Sequence, residues 1–164
     1  MTTSKPQARR GRPPKVARSF DDTREALLHC GMEVLTEQGF AATGIDAVLK
    51  RVRVPKGSFY HYFDSKEAFV QQVLQRYAAY FARKLDRWLL DESVLPLRRL
   101  SNFVEDAKAG MARHQFRRGC LVGNLGQEIT ALPASFRQTL ENVLLDWQVR
   151  LANCLTEAVH LGQL

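Results

Sequence analysis

Residues 45–66 read IDAVLKRVRVPKGSFYHYFDSK, two short helical patterns around a tight connection. Thr43 stands as the expected N-cap of the first, which turns Ile45, Val48, Leu49 and Val52 inward. Pro55 suits the first turn of the second, because its missing N–H would be unpaired there anyway. Phe59 and Phe63, four apart, fall on one face and are expected in the core. Ser65-Lys-Glu then opens a third, much longer helix. This is the order of a helix-turn-helix, in which one helix braces the DNA backbone and the next enters the major groove.

The residue types fit that task. Only a narrow element reaches base edges in the major groove, and its neighbours must hold phosphates. Lys56, Gly57 and Ser58 lead the second helix: Gly57 lets the backbone approach closely, and Lys56 can reach a guanine edge or a phosphate. Tyr60, His61 and Tyr62 follow on the exposed side, with tyrosine hydroxyls suited to phosphates. Thr43 and Lys66 lie at helix starts, where backbone amides and a side chain together form a phosphate clamp. Lys50, Arg51 and Arg53 add positive charge nearby.

Outward from this stretch, charge is uneven. The 164 residues carry 24 Lys and Arg against 17 Asp and Glu, a net charge of +7. Six of those cations, Lys5, Arg9, Arg10, Arg12, Lys15 and Arg18, sit in the first 18 residues, which hold no acid. The remaining 18 stand against 17 acids, so the body is close to neutral. A basic tail on a neutral body points to a polyanion gripped locally. With Pro6, Gly11, Pro13 and Pro14 and few apolar side chains, residues 1–18 read as a disordered arm. Its Arg10-Gly11-Arg12-Pro13 resembles the core of an AT-hook, suited to the narrow minor groove of A·T-rich DNA. A nonspecific tail acting through counterion release is the equal alternative.

The body reads as all-α. A helix capped by Asp22 or Thr23 is expected to run to Gly39, presenting Leu27, Leu28, Met32, Val34 and Leu35. The long helix after Ser65 carries Phe69, Val70, Val73, Leu74, Tyr77, Phe81, Leu85, Trp88 and Leu89, about 25 residues spanning roughly 37 Å. Another helix follows Pro96 to about His114. Gly119, Gly123 and Gly126 punctuate a loop with a short helix, and Pro133 opens a last helix striped by Phe136, Leu140, Val143, Leu144, Trp147, Leu151, Leu155 and Val159. The expected division is an arm over 1–18, a helix-turn-helix unit over 19–66, and a helical effector-binding and dimerisation unit over 67–164.

At Thr43, Ile45, Val48, Val54, Tyr60, Phe63, Lys66 and Glu67 the chain resembles the TetR/AcrR family of regulators. The resemblance implies a homodimeric repressor of a near-palindromic operator, released when its second domain binds a small molecule. Where the family often has Ala-Gly before the valine, this chain has Val52-Arg53, which puts Arg53 where a left-handed backbone is expected. In this family further helices usually follow the position of Leu164 and build a four-helix dimer interface. Without them the last helix would expose an apolar stripe.

Arg117-Arg118-Gly119-Cys120-Leu121 is the second distinctive segment, similar to an acrylate-responsive subgroup of the family and less closely to electrophile-sensing members. A thiol beside two arginines can be nucleophilic toward electron-poor alkenes or oxidants; the other reading makes Cys120 a small residue opening a helix. Arg117 and Arg118 suit a carboxylate ligand, or else are solvated. Tyr77, Phe81, Trp88, Phe103, Met111, His114, Phe116 and Trp147 are candidate pocket residues, or core.

Catalytic and metal sites are expected to be absent, since there is no paired-carboxylate, triad or metal-ligand spacing. No cofactor loop follows a strand, and no apolar run approaches the roughly 20 residues that span a bilayer. Three cysteines make no disulfide framework and fit a reducing cytoplasm. The alternative to a ligand-responsive regulator is an architectural DNA-binding protein with an arm and no effector.

Overall fold

The computed structural model describes residues 19–164; the arm, with Arg10 and Arg12, lies outside the described residues. Six α-helices and one 3-10 segment account for the fold, with no strand among the described residues. Helix α1 is Phe20–Gln38 and α2 is Ile45–Val52. A 3-10 segment, Lys56–His61, leads to the long α3, Lys66–Leu89. Helices α4 (Pro96–Arg113), α5 (Leu121–Gln127) and α6 (Ala134–His160) complete the chain.

The caps differ from the sequence expectation in two places. Ser19, not Asp22 or Thr23, caps α1: its hydroxyl accepts from the Asp22 N–H, and the Asp22 carboxylate accepts from the Ser19 N–H. Gly44, not Thr43, caps α2, with no side-chain hydrogen bond. The Thr43 hydroxyl instead donates to the Gly39 carbonyl at 2.5 Å, closing the α1–α2 turn. Ser65 caps α3 as expected, accepting from Ala68 N–H.

Arg53 does occupy the left-handed region, at φ 61° and ψ 40°, ending α2 with its N–H on the Leu49 and Lys50 carbonyls. A side chain there is strained by roughly 1–2 kcal/mol, while glycine adds freedom to the unfolded chain. Arg53→Gly is therefore expected to leave stability unchanged or raise it by up to about 1 kcal/mol, where an ordinary helix-end substitution to glycine lowers it. Urea denaturation checks the sign.

One hydrophobic core runs through most of the molecule. Leu27, Leu28, Val34 and Leu35 of α1 meet Val48 and Leu49 of α2, Phe59 and Phe63, Phe69, Val70, Val73 and Leu74 of α3, Leu121 and Leu125 of α5, and Phe136 and Leu140 of α6. Phe59, Phe63 and Phe69 pack ring to ring, with centroids 4.8–5.6 Å apart. Gly31 lets α1 lie against Phe69, since a methyl group there would overlap the ring. A smaller cluster joins Leu85 and Leu89 to Cys154. The two halves expected from sequence thus share a core across α1, α3 and α5, and α3 enters both clusters.

Helix α6 also departs from its expected stripe. Phe136, Leu140, Val143, Cys154 and Ala158 are buried, with Trp147 and Leu151 half-buried. Leu144, Leu155 and Val159 are exposed instead, beside Leu145 and Val149. Over 27 residues the helix carries two apolar faces, one packed and one open.

Candidate DNA-reading surface and effector cavity

The reading surface is built on the aromatic core beneath it. Phe59 and Phe63 are buried, which forces Lys56, Gly57, Tyr60 and His61 outward; Ser58 and Tyr62 are half-buried. Tyr60 is the most exposed aromatic of the group, at 71%. Tyr62 stacks on Phe20 at 4.7 Å, tying this segment to the start of α1. Gly57 has open space around it among the described residues, which leaves room for the approach of another backbone. The Lys56 ammonium rests on Asp46 at 2.8 Å, a contact that raises its pKa and that a phosphate would have to displace.

Thr43 and Lys66 are engaged inward. Thr43 is only 2% exposed. The Lys66 ammonium donates to the Phe40 carbonyl at 2.9 Å and lies 4.2 Å from the Phe40 ring, and burial lowers its pKa. Both side chains hold the Gly39–Thr43 turn rather than pointing outward.

Behind this surface a cavity of about 550 Å³ opens between α1, α3, α4 and the loop before α5. Helix α1 contributes His29, Met32, Glu33 and Thr36; α3 contributes Arg76, Tyr77, Tyr80, Phe81, Arg83 and Lys84. Helix α4 and the loop add Met111, Arg113, His114, Arg118 and Cys120. The volume suits a small organic molecule. Arginines and Lys84 outnumber the single carboxylate, Glu33, so the lining favours an anion. Three of the cations are partly spent: Arg76 pairs with Glu25, Lys84 with Asp106 at 2.9 Å, and Arg118 with Glu33 and Glu37.

Cys120 is exposed at the cavity edge. The Tyr77 hydroxyl is pushed up in pKa by burial first, and then by the neighbouring Cys120 thiol. Cys30 and Cys154 are buried, which raises both thiols, and each donates to a backbone carbonyl, Val48 and Pro96 respectively. They differ from Cys120 in having no access to the cavity.

Residues 118–128 strap the cavity to the C-terminal end of α1. Gly119 N–H donates to the Thr36 carbonyl at 2.9 Å, and the Asn124 amide to the Leu35 and Thr36 carbonyls. These satisfy acceptors that a helix end leaves free. The Glu128 carboxylate accepts from Phe40 and Ala41 N–H at 2.7 and 3.1 Å. Arg118 pairs with Glu33 at 3.1 Å and Glu37 at 3.2 Å, and Glu37 also accepts from Arg51 of α2 at 3.2 Å. Burial would raise the Glu37 pKa, but these two guanidinium groups outweigh it and hold the carboxyl below its usual range.

Of the expected ligand residues, the cavity brings together Tyr77, His114, Arg118 and Cys120, with Phe81 and Met111. Arg117 lines a smaller adjoining cleft of about 300 Å³ that includes Arg51. Trp88 donates to Asp106 at 3.2 Å outside the cavity. Trp147 packs behind the wall on Phe81 at 4.3 Å, its indole N–H without a partner among the described residues. Phe103 packs on Phe81 outside the cavity, and Phe116 is exposed. The α1 residues His29, Glu33 and Thr36 were not expected there, because polar positions on a helix facing away from its own core read as solvent-facing until another element covers them; Met32, expected on the apolar face, is half-buried at the cavity. Among the described residues no His/Cys/Asp/Glu group is arranged for a metal, and no helix is long and apolar enough to cross a membrane.

A short helical head with an exposed basic and aromatic edge, carried on a long helix that walls a cavity, is the architecture of a helix-turn-helix regulator. The chain belongs to the TetR family of bacterial transcriptional regulators. The family described as bacterial regulatory proteins, tetR family, matches residues 27–73, and the tetracyclin repressor-like C-terminal domain matches residues 96–164. The transcriptional regulator AcuR of Cereibacter sphaeroides is 51% identical over 95% of this chain and 71% of its own length. The repressor NemR of Escherichia coli is 34% identical over 73% of this chain and 60% of its own. Among solved structures, a TetR regulatory protein from Rhodobacter sphaeroides superposes with a TM-score of 0.83 at 52% identity, covering 85% of this chain and 74% of that one. The reduced form of E. coli NemR gives 0.73 at 31%, covering 85% and 72%.

Proposed function

We propose that the protein is a cytoplasmic repressor that binds a near-palindromic operator as a homodimer and leaves it when a small α,β-unsaturated acid such as acrylate, or another electrophile, enters the cavity. The observation that carries this reading is the cationic cavity with an exposed thiol, strapped directly to the helix that braces the reading surface. The similarity to AcuR and to NemR, the latter solved in a reduced form, supports a sensor in which this thiol matters. An effector acts only through its different affinity for the DNA-competent and DNA-incompetent states, and a cavity wall shared with α1 gives a physical route for that difference.

Under this reading Lys56, Gly57, Ser58, Tyr60, His61 and Tyr62 face the major groove, backbone amides near Thr43 and Lys66 hold phosphates, and Arg10 and Arg12 reach the minor groove. The effector-binding unit is 67–164, completed by the cavity-facing side of α1. The open face of α6, with Leu144, Leu145, Val149, Leu155 and Val159, supports pairing of two chains. Dimer symmetry then sets the two reading segments about 34–36 Å apart on one side of the duplex.

Footprinting on DNA flanking the protein's own gene tests this arrangement. Protection of two half-sites one helical turn apart, or a whole number of turns apart, is expected. Uniform, sequence-indifferent protection would favour the architectural alternative. Cys120→Ser is expected to abolish the response to neutral electrophiles while leaving DNA affinity within about twofold. A full response in that variant would dismiss thiol addition but keep the cavity.

A further inference from the structure

The Arg118 guanidinium stands at the junction of the cavity and the smaller cleft, and belongs to the lining of both. On one side it meets Glu33 and Glu37 of α1; beyond Glu37 lies Arg51 of α2. The side chains are 26% exposed for Arg118, 31% for Glu33 and 18% for Glu37, so all three lie part-way between solvent and core. Arg118 therefore already holds carboxylates in the position that a ligand carboxylate would take.

We propose that Arg118 is the effector's carboxylate anchor, and that it takes the effector in exchange for Glu33, an internal competitor supplied by α1. This rests on the small-acid sensing reading above and adds its recognition and its transmission. One carboxylate replaces another on the same guanidinium, so the exchange costs little electrostatically, whereas an effector without a carboxylate gains nothing there. Glu33 can leave because it is partly solvated and has His29 one turn away, 4.0 Å from it. Glu37 keeps Arg51 as its partner. What is lost is one of the two ionic links between the loop and α1, with the Arg118–Glu37 contact left at 3.2 Å.

The loop is built to move once that link goes. Gln115 and Phe116 take successive left-handed conformations, φ 53° and 56°, which non-glycine residues adopt at a cost. Phe116 is exposed and adds no buried packing to hold the conformation. Exchange at Arg118 thus removes a restraint from a strained segment that also carries Gly119 and its hydrogen bond to Thr36. The sensing signal reaches the DNA-binding helices through α1.

The test uses reversible binding of propionate, a carboxylate without an electrophilic alkene, and of acrylate, measured by calorimetry on the full chain. Wild type, Arg118→Met and Glu33→Gln are compared, with circular dichroism confirming that each is folded. Arg118→Met is expected to weaken both acids by about tenfold or more. Glu33→Gln removes the competitor and is expected to tighten both by several-fold, an outcome that a merely structural role for the pair would not give. Unchanged acid affinity in Arg118→Met, or weaker binding in Glu33→Gln, would overturn the exchange while leaving the sensing reading in place. Wild type binding neither acid would remove that reading, and the exchange with it.

Discussion

Phe69→Ala is expected to lower stability by about 3–5 kcal/mol, seen as a fall in the urea midpoint with little change in slope. Phe69 is 1% exposed and sits where three elements meet. Its ring contacts Phe59 and Phe63 beneath the reading surface, and it fills the space that Gly31 leaves on α1. Removing it leaves a cavity that cannot collapse easily, because α1 is held by α5 and α3 by α6 as well. The reading segment should loosen together with the core, so DNA binding fails even in the folded fraction. Tyr60→Ala, on the same short segment but exposed, is the control and should change stability by no more than about 0.5 kcal/mol. A loss below about 1.5 kcal/mol for Phe69→Ala would mean that the aromatic cluster does not brace the head.

The second large effect is on DNA. Lys56→Ala is expected to weaken operator binding by about 1–3 kcal/mol, roughly 5- to 150-fold. If Lys56 reads a guanine edge, the loss is confined to the specific site and discrimination at one base pair relaxes. If it holds a phosphate, affinity falls for all sequences and the salt slope drops by about one. Asp46 separates the two contributions of Lys56. Asp46→Asn frees the ammonium from its 2.8 Å partner and should strengthen binding modestly in either case. Equal affinity of wild type and Lys56→Ala for operator DNA at fixed salt would remove Lys56 from the interface.

Much of this architecture can be read from one stretch. Phe59 and Phe63 recur at four-residue spacing, so they must face one way and Tyr60 the other, and the fold keeps that division. Arg53 at the end of α2 is equally legible, since the α2 pattern ends there whatever residue occupies the position. Local capping was harder. Thr43 has the right chemistry for an N-cap, but its hydroxyl finds the Gly39 carbonyl one turn back and Gly44 takes the cap. Such competition between neighbouring acceptors depends on the shape of the turn rather than on residue type.

The cavity was legible only by half. Tyr77, His114, Arg118 and Cys120 lie within a chain segment of some forty residues whose motifs point to them. His29, Met32, Glu33 and Thr36 reach the cavity only because residues 118–128 dock on the end of α1, more than 80 positions away. No periodicity reports that docking. Trp88 and Trp147 fail as cavity residues for the opposite reason. Helical spacing places them on the inner side of α3 and α6, but depth along each helix puts one against Asp106 and the other behind Phe81. The open apolar face of α6 was hidden by its own width, because Leu144 and Leu155 continue the packed stripe in sequence while turning away from it in space.

The central claim, that a small acid in this cavity governs DNA binding, is tested most directly by titrating labelled DNA from the region flanking the protein's own gene. The titration is run at fixed salt with nonspecific competitor, with and without acrylate. Tight, competitor-resistant binding that acrylate releases, and that propionate releases more weakly, is the predicted result. Tight binding that neither acrylate nor any other unsaturated acid or electrophile alters would contradict it.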